Sequence, residues 1–330
     1  MTALASAATR AFARHETFHP RYGWLRKAVE AASQAQHEDD AFSAEDATVV
    51  LGVGKNMVKA IRFWGHAAHL LREKPVAGHR RRTVSRPTAL GRYLFDADVG
   101  ADPYLELTGT IWLTHWWMLR PTTLLPVWWV AFNRFSAVEF GEEALRRTVH
   151  DEVDRAGWKQ PHASSVQKDV ACLLRMYVSD DGRSSLDDLI DCPTRELRLI
   201  LRSQDDASRY RFNQGHKPSL PDLVVLHASL EWLSRSSGGK SVSIAALATA
   251  PGGPGLAFRL STRELTESLE RATGAVDFAG VSSIAGRPSL YASIDICDAA
   301  WDAVDAYYEA NGRRPESSAV RQEAVEGITA

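Results

Sequence analysis

Between Ile111 and Phe132 the chain reads IWLTHWWMLRPTTLLPVWWVAF. A membrane-crossing helix needs ~18 or more consecutive apolar residues. Here His115, Arg120, Pro121, Thr122, Thr123 and Pro126 interrupt the run. Proline opens helices well and breaks them in mid-course. The run therefore predicts two buried helices joined at Arg120-Pro121, in a soluble chain with no membrane partner. Five of the ten tryptophans (Trp112, Trp116, Trp117, Trp128 and Trp129) fall in this stretch. Such rings can stack on unpaired bases, but the helical spacing of Trp112 and Trp116 favours core.

With 330 residues, 45% apolar and 24% charged, the chain has an ordinary globular composition and room for two or three domains. Its three cysteines, Cys172, Cys192 and Cys297, are far apart and odd in number. They build neither a disulfide framework nor a cysteine zinc site, which fits a reducing cytoplasm. The N-terminal segment lacks the continuous apolar core of a signal peptide.

A net charge of −2 conceals strong polarity. From Lys55 to Arg92 stand ten basic residues and one acid, Glu73, a net +9 that leaves −11 for the rest. Ser43-x-x-Asp46 is an imperfect capping box for a short helix to about Leu51. Gly52-Val53-Gly54 breaks the chain, and Lys55 opens a helix to about Leu71. Met57, Ile61, Trp64, Ala68 and Leu71 form its apolar stripe. Lys55, Lys59, Arg62, His66 and His69 repeat those offsets roughly 160° around. Helix, glycine turn and a helix with a basic outer stripe is the helix-turn-helix pattern. The string His79-Arg80-Arg81-Arg82-Thr83-Val84 reads as a basic strand or hairpin, a wing for phosphate or minor-groove contact. Pro87-Thr88 then opens a helix from Ala89 to Phe95. The residues expected on DNA are Lys55, Asn56, Lys59, Arg62, His66, Arg80, Arg81, Arg82 and Arg86. Lys168 joins them from a helix over Gln167 to Tyr177, preceded by Ser164-Ser165-Val166.

Two motifs fail. Gly52-x-Gly54-Lys55 lacks the glycine five residues earlier and the Ser or Thr after lysine that a phosphate loop requires. His66-x-x-His69 has no third metal ligand in sequence reach, so it extends the basic stripe.

Among the acids, Asp102-Pro103-Tyr104-Leu105-Glu106 looks most chemical. Asp102 near a helix N-cap and Glu106 one turn later share a side. With His115 they form the candidate catalytic set, Asp102 and Glu106 holding Mg²⁺ or Mn²⁺ for phosphodiester cleavage. The bland alternative is an N-cap and a salt bridge, and the cluster Asp151, Glu152 and Asp154 reads as a solvated face.

Beyond Gln214 to Pro221, the pattern gives a helix over Leu223 to Trp232 and a joint at Ser236 to Gly239. A helix over Ser243 to Ala248 follows, then an irregular Pro251 to Gly255. Ser261-Thr262-Arg263-Glu264 caps a helix to Ala272, and strands at Ala275 to Phe278 and Ser289 to Tyr291 flank Gly286-Arg287-Pro288. The expected fold is mainly α with small β wings. A winged-helix, helix-turn-helix unit (1–95) and a winged-helix-like unit (214–330) are joined by a helical, tryptophan-rich middle (96–213).

Several strings together resemble a known family: Phe18-His-Pro-Arg-Tyr-Gly-Trp-Leu25, Leu51-Gly-Val-Gly-Lys-Asn-Met-Val58, Asp102-Pro-Tyr-Leu-Glu106, Phe132-Asn133 and Ser164-Ser-Val-x-x-Asp169. The chain is similar, from about Phe12 to Tyr291, to the SspB-type family of bacterial DNA phosphorothioation systems, formerly a domain family of unknown function. That resemblance implies a DNA nickase of antiphage defence. It would work on double-stranded DNA with a cysteine desulfurase, an ATPase and an ATP pyrophosphatase-like partner to place sulfur in one strand. It assigns no catalytic residue, and Leu107 stands where the family pattern carries another acid.

Two readings compete. One is a metal-dependent endodeoxyribonuclease that nicks one strand; the other is a non-catalytic DNA-binding adaptor or regulator that recruits partner enzymes. An interaction scaffold ranks below both because of the stripe on Lys55 to His69. A homo-oligomer is compatible with the sequence.

Overall fold

The computed structural model describes residues 3–36, 39–79, 81–179, 191–236, 239–284, 286–314 and 316–328. The first part runs α1 (Leu4–Ala7), α2 (Trp24–Gln34), α3 (Ala47–Leu51), α4 (Lys55–Ala67), the strands β1 (Leu71–Pro75) and β2 (Thr83–Pro87), and α5 (Ala89–Phe95). Strands β1 and β2 pair antiparallel as a hairpin. The middle holds α6 (Thr108–Leu119), α7 (Pro126–Asn133), β3 (Glu139–Phe140), α8 (Glu142–Arg155), α9 (Ala163–Tyr177) and β4 (Val178–Ser179). A 3-10 turn, Pro193–Leu197, leads to β5 (Ile200–Arg202) and β6 (Tyr210–Phe212). These short strands form one sheet in the order β3-β6-β5-β4.

Among the described residues six helices follow, Asp222–Arg235, Ile244–Thr249, Pro254–Phe258, Thr262–Gly274, Ile296–Ala310 and Ser318–Ile328. Strands β7 (Ser241–Ser243), β8 (Ala279–Ile284) and β9 (Arg287–Ala292) make an antiparallel sheet in the order β7-β9-β8. The fold is thus helical with small sheets, as the sequence leads one to expect.

Helices α6 and α7 are apolar on every side, and a helix without a polar face must be enclosed. Trp112, Trp116, Trp117, Trp128 and Trp129 are all at most 2% exposed. Among the described residues no helix is long and apolar enough to cross a membrane. The buried residues form one continuous cluster from Leu4 to Val320. Tyr93 of α5 stacks edge-on against Trp301 and Tyr308 and donates to Asp305 at 2.9 Å. The first and last segments of the chain therefore share core.

Several boundaries differ from the sequence expectation for identifiable reasons. Helix α6 ends at Leu119 and α7 opens at Pro126, so Pro121 lies in the connection and Pro126 supplies the helix start. Helix α4 stops at Ala67 because the chain reverses. His69 adopts a left-handed φ of 59° and Leu70 N–H bonds back to the Gly65 carbonyl, which frees Leu71 to start a strand. Ser43 bonds Asp40 instead of capping, and α3 begins only after Asp46. Residues 102–106 form a turn and not the first turn of a helix, which opens at Thr108. Pro254 at a first helical position makes Pro254–Phe258 helical where Pro251 to Gly255 was expected to be irregular. The first C-terminal hairpin strand lies later, at Ala279–Ile284, while Phe278 packs on the core, and the second, Arg287–Ala292, contains the expected Ser289 to Tyr291. The Ser261–Glu264 capping box forms as expected. Of the joint at Ser236 to Gly239, Ser237 and Gly238 lie outside the described residues.

Candidate nucleic-acid interface

Helix α4 is positioned by its apolar face. Val58, Ile61 and Trp64 are buried, and Trp64 donates its Nε1–H to the Phe18 carbonyl at 2.9 Å. Gly65 lies so close to its neighbours that a Cβ there would meet Leu71 Cδ1 at 2.7 Å. At the turn before α4, Gly52 takes φ 64° and Lys27 donates to the Leu51 carbonyl at 2.8 Å. A residue other than glycine would be strained at Gly52.

With that face fixed, Lys55, Asn56 and Lys59 are exposed on α4, and Arg81 and Arg82 are exposed in the loop between β1 and β2. Lys59 also stands 3.4 Å from Glu16 and Arg82 3.9 Å from Asp39. Lys168 is exposed on α9. Arg80 lies outside the described residues.

Three of the residues expected on DNA are engaged at the base of the hairpin. Arg62 donates to Ser85 Oγ at 3.0 Å and lies 3.7 Å from both Asp40 and Glu73. His66 shares Ser85 Oγ at 3.1 Å, and burial pushes its pKa down from 6.5. Arg86 donates to the carbonyls of Asp39 at 3.1 Å and Gln36. These contacts tie the hairpin to α4 and to the loop before α3. His69, the end of the expected stripe, turns inward, and burial lowers its pKa to about 3.

The proposed acid set does not assemble. Asp102 is fully buried, and its two carboxylate oxygens accept the N–H groups of Glu106 at 2.8 Å and Leu107 at 3.0 Å. Glu106 is exposed and paired with Arg313. His115 is fully buried, with Nδ1 bonded to Tyr177 Oη at 2.8 Å and Nε2 to the Ala257 carbonyl at 2.9 Å. Burial lowers its pKa to about 4, so it stays neutral. Magnesium takes near-octahedral oxygen ligands, whereas both oxygens of Asp102 and both ring nitrogens of His115 are bonded within the fold and Glu106 faces outward onto Arg313. Among the described residues no group of three or more His, Cys, Asp or Glu could hold a metal ion. Asp102, Glu106 and His115 do not fit a divalent cation.

Sequence reading missed the pairs that join distant segments. Asp169 lies next to Lys168 but turns inward, accepting the Ala13 N–H at 2.9 Å and bonding His15 Nε2 at 2.7 Å. His15 in turn stacks on Trp64, so the loop before α2 bridges α9 to α4. Burial raises the Asp169 pKa, with His15 opposing. His19 and Arg21 both reach Asp191, at 2.6 Å and 3.1 Å. The sequence signal for these pairs was that His19 and Asp169 lie within strings that carry the family resemblance.

A family model described as a protein of unknown function, DUF4007, matches residues 12–308. Two solved structures are similar to this chain at 37% sequence identity. One is an SspB crystal structure, with a TM-score of 0.87 and coverage of 98% of each chain. The other is a magnesium ion-bound SspB crystal structure, with a TM-score of 0.88 and coverage of 100% of this chain and 98% of that one. No curated protein matches.

Proposed function

The chain belongs to the DUF4007 family, and from that premise we propose that it is the SspB-type component of a DNA phosphorothioation system, gripping double-stranded DNA with its basic face. The observation that carries this reading is the exposure of Lys55, Asn56 and Lys59 on one side of α4, with Arg81 and Arg82 in the hairpin loop. Cations on a rigid helix and an adjacent loop suit phosphate contacts, which fix register and orientation on a duplex. In this reading α3, the glycine turn, α4 and the hairpin act as a winged helix-turn-helix, and Lys168 adds a contact from α9. The similarity to SspB supports partnership with the desulfurase, ATPase and pyrophosphatase-like proteins, in the cytoplasm. The action on DNA is a nick in one strand that admits sulfur.

A second reading, a non-catalytic adaptor, is favoured by the commitment of Asp102, Glu106 and His115 to contacts within the fold. A supercoiled-plasmid assay with and without Mg²⁺ or Mn²⁺ separates the two. Open circles that accumulate with purified protein support the nickase. DNA binding without open circles supports the adaptor, and no binding at all rejects both.

A further inference from the structure

Where α6 ends beside the helix Asp222–Arg235, one carboxylate pairs with a single guanidinium although a second stands one turn away. Glu231, with a side chain 14% exposed, accepts from Arg120 Nη1 at 2.9 Å and from the Trp116 indole N–H. Arg235 lies one turn further along the same helix, its guanidinium 5.6 Å from the Trp116 ring centroid. Its Nε donates to the Glu231 backbone carbonyl at 3.2 Å. Its Nη1 and Nη2 are buried and find no hydrogen-bond partner among the described residues. Burial pushes Glu231 up, but Arg235 and Arg120 outweigh it and hold the carboxyl below its usual range.

The local charge does not balance. His69 and His227 border the group, but burial lowers both and keeps them neutral. Among the described residues two cations therefore stand against one anion, and the surplus sits on a guanidinium whose terminal donors find no acceptor there. Buried arginine is ordinarily paired and hydrogen-bonded, because desolvating it alone is costly. Orphaned donors of this kind need an explanation, a bound ion among them. Lowering by burial leaves Arg235 at about 10, still charged at neutral pH. The Arg120 side chain is 27% exposed, so the group reaches solvent through it.

We propose that Arg235 and Arg120 form a binding site for a phosphate group. A guanidinium matches two oxygens of a phosphate at once, and one such anion supplies the missing charge and the missing acceptors together. Glu231 is a positioning residue, holding Arg120 in place. The site does not depend on the DNA-binding face proposed above, which involves other residues.

The test compares thermal unfolding of the full chain in saturating inorganic phosphate and in chloride at equal ionic strength. The expected result is a Tm higher by roughly 2–4 °C in phosphate. Arg235→Met should lose that rise without a lower Tm in chloride, since it removes an uncompensated buried cation. An equal rise in the variant, or none in the wild type, overturns the proposal. Calorimetric titration of the wild type with phosphate keeps the test decisive should the variant fail to fold. Saturation near one phosphate per chain supports the site, and absence of saturable heat overturns it. A 5′-phosphorylated oligonucleotide compared with its unphosphorylated form identifies the source. At least tenfold tighter binding, lost in Arg235→Met, assigns the site to a DNA end. Equal binding of the two forms, with phosphate still saturating, assigns it to the free ion.

Discussion

Asp102 precedes α6 and Lys59 stands in the second turn of α4, and the two treat charge in opposite ways. Asp102 is fully buried, with a backbone N–H on each carboxylate oxygen. Lys59 keeps 53% of its side chain exposed and reaches Glu16 only at 3.4 Å. The contrast extends to their surroundings. In the tryptophan-rich centre, His115 has both ring nitrogens bonded and Glu152 pairs with Arg134 and Arg155. Along the outer side of α4 and the hairpin loop, cations face water. A buried charge must be paired to be tolerated at all, so its contacts report stability. An exposed cation cluster gains little for the fold and leaves its charge open to an anionic partner.

The largest effect expected from breaking this contrast is at Trp64, which anchors the basic helix to the centre. Trp64→Ala should cost about 3–5 kcal/mol, the usual loss for emptying a buried aromatic site. Denaturant titration checks it, and an unchanged midpoint would mean that α4 is held by other contacts. Next is Asp102→Ala, which strands two backbone N–H groups near α6 and should cost about 1–3 kcal/mol. A variant of full stability that had lost nicking would restore Asp102 to the chemistry and dissolve the contrast.

The centre should also be the acid-sensitive part. Burial lowers His115 to about 4 and His69 to about 3, against 6.5 for exposed histidine. Between pH 6.5 and those values the unfolded chain binds protons that the folded chain refuses. Stability from these groups is therefore full above pH 6.5 and declines as pH falls toward 4 and then 3. Urea midpoints measured across that window should drop steadily. A flat profile would show that the buried histidines carry charge.

How much of this was legible in the sequence follows from the range of the forces involved. The α4 stripe, the Ser261 capping box and the buried tryptophans depend on neighbours within a turn or two, and periodicity revealed them. The end of α4 was misplaced because tertiary packing decided it: the reversal at His69 brings Leu71 against Gly65. At the candidate site, Lys55, Asn56 and Lys59 were legible as a face. The fate of Asp102 and His115 was not, because their partners are set by backbone turns and by Tyr177 and Ala257 far along the chain. Spacing cannot reveal that a carboxylate will be consumed by its own backbone.

The smallest structural change makes the most direct test. Lys55→Ala combined with Lys59→Ala should leave the melting temperature within error, since both side chains are exposed. Fluorescence anisotropy of a labelled duplex, titrated at several salt concentrations, then reads the number of phosphate contacts. If α4 grips the backbone, the double variant binds more weakly at every sequence and the slope of log K against log salt shrinks by about 2. An affinity and a slope equal to the wild type would remove α4 from the interface and contradict the account.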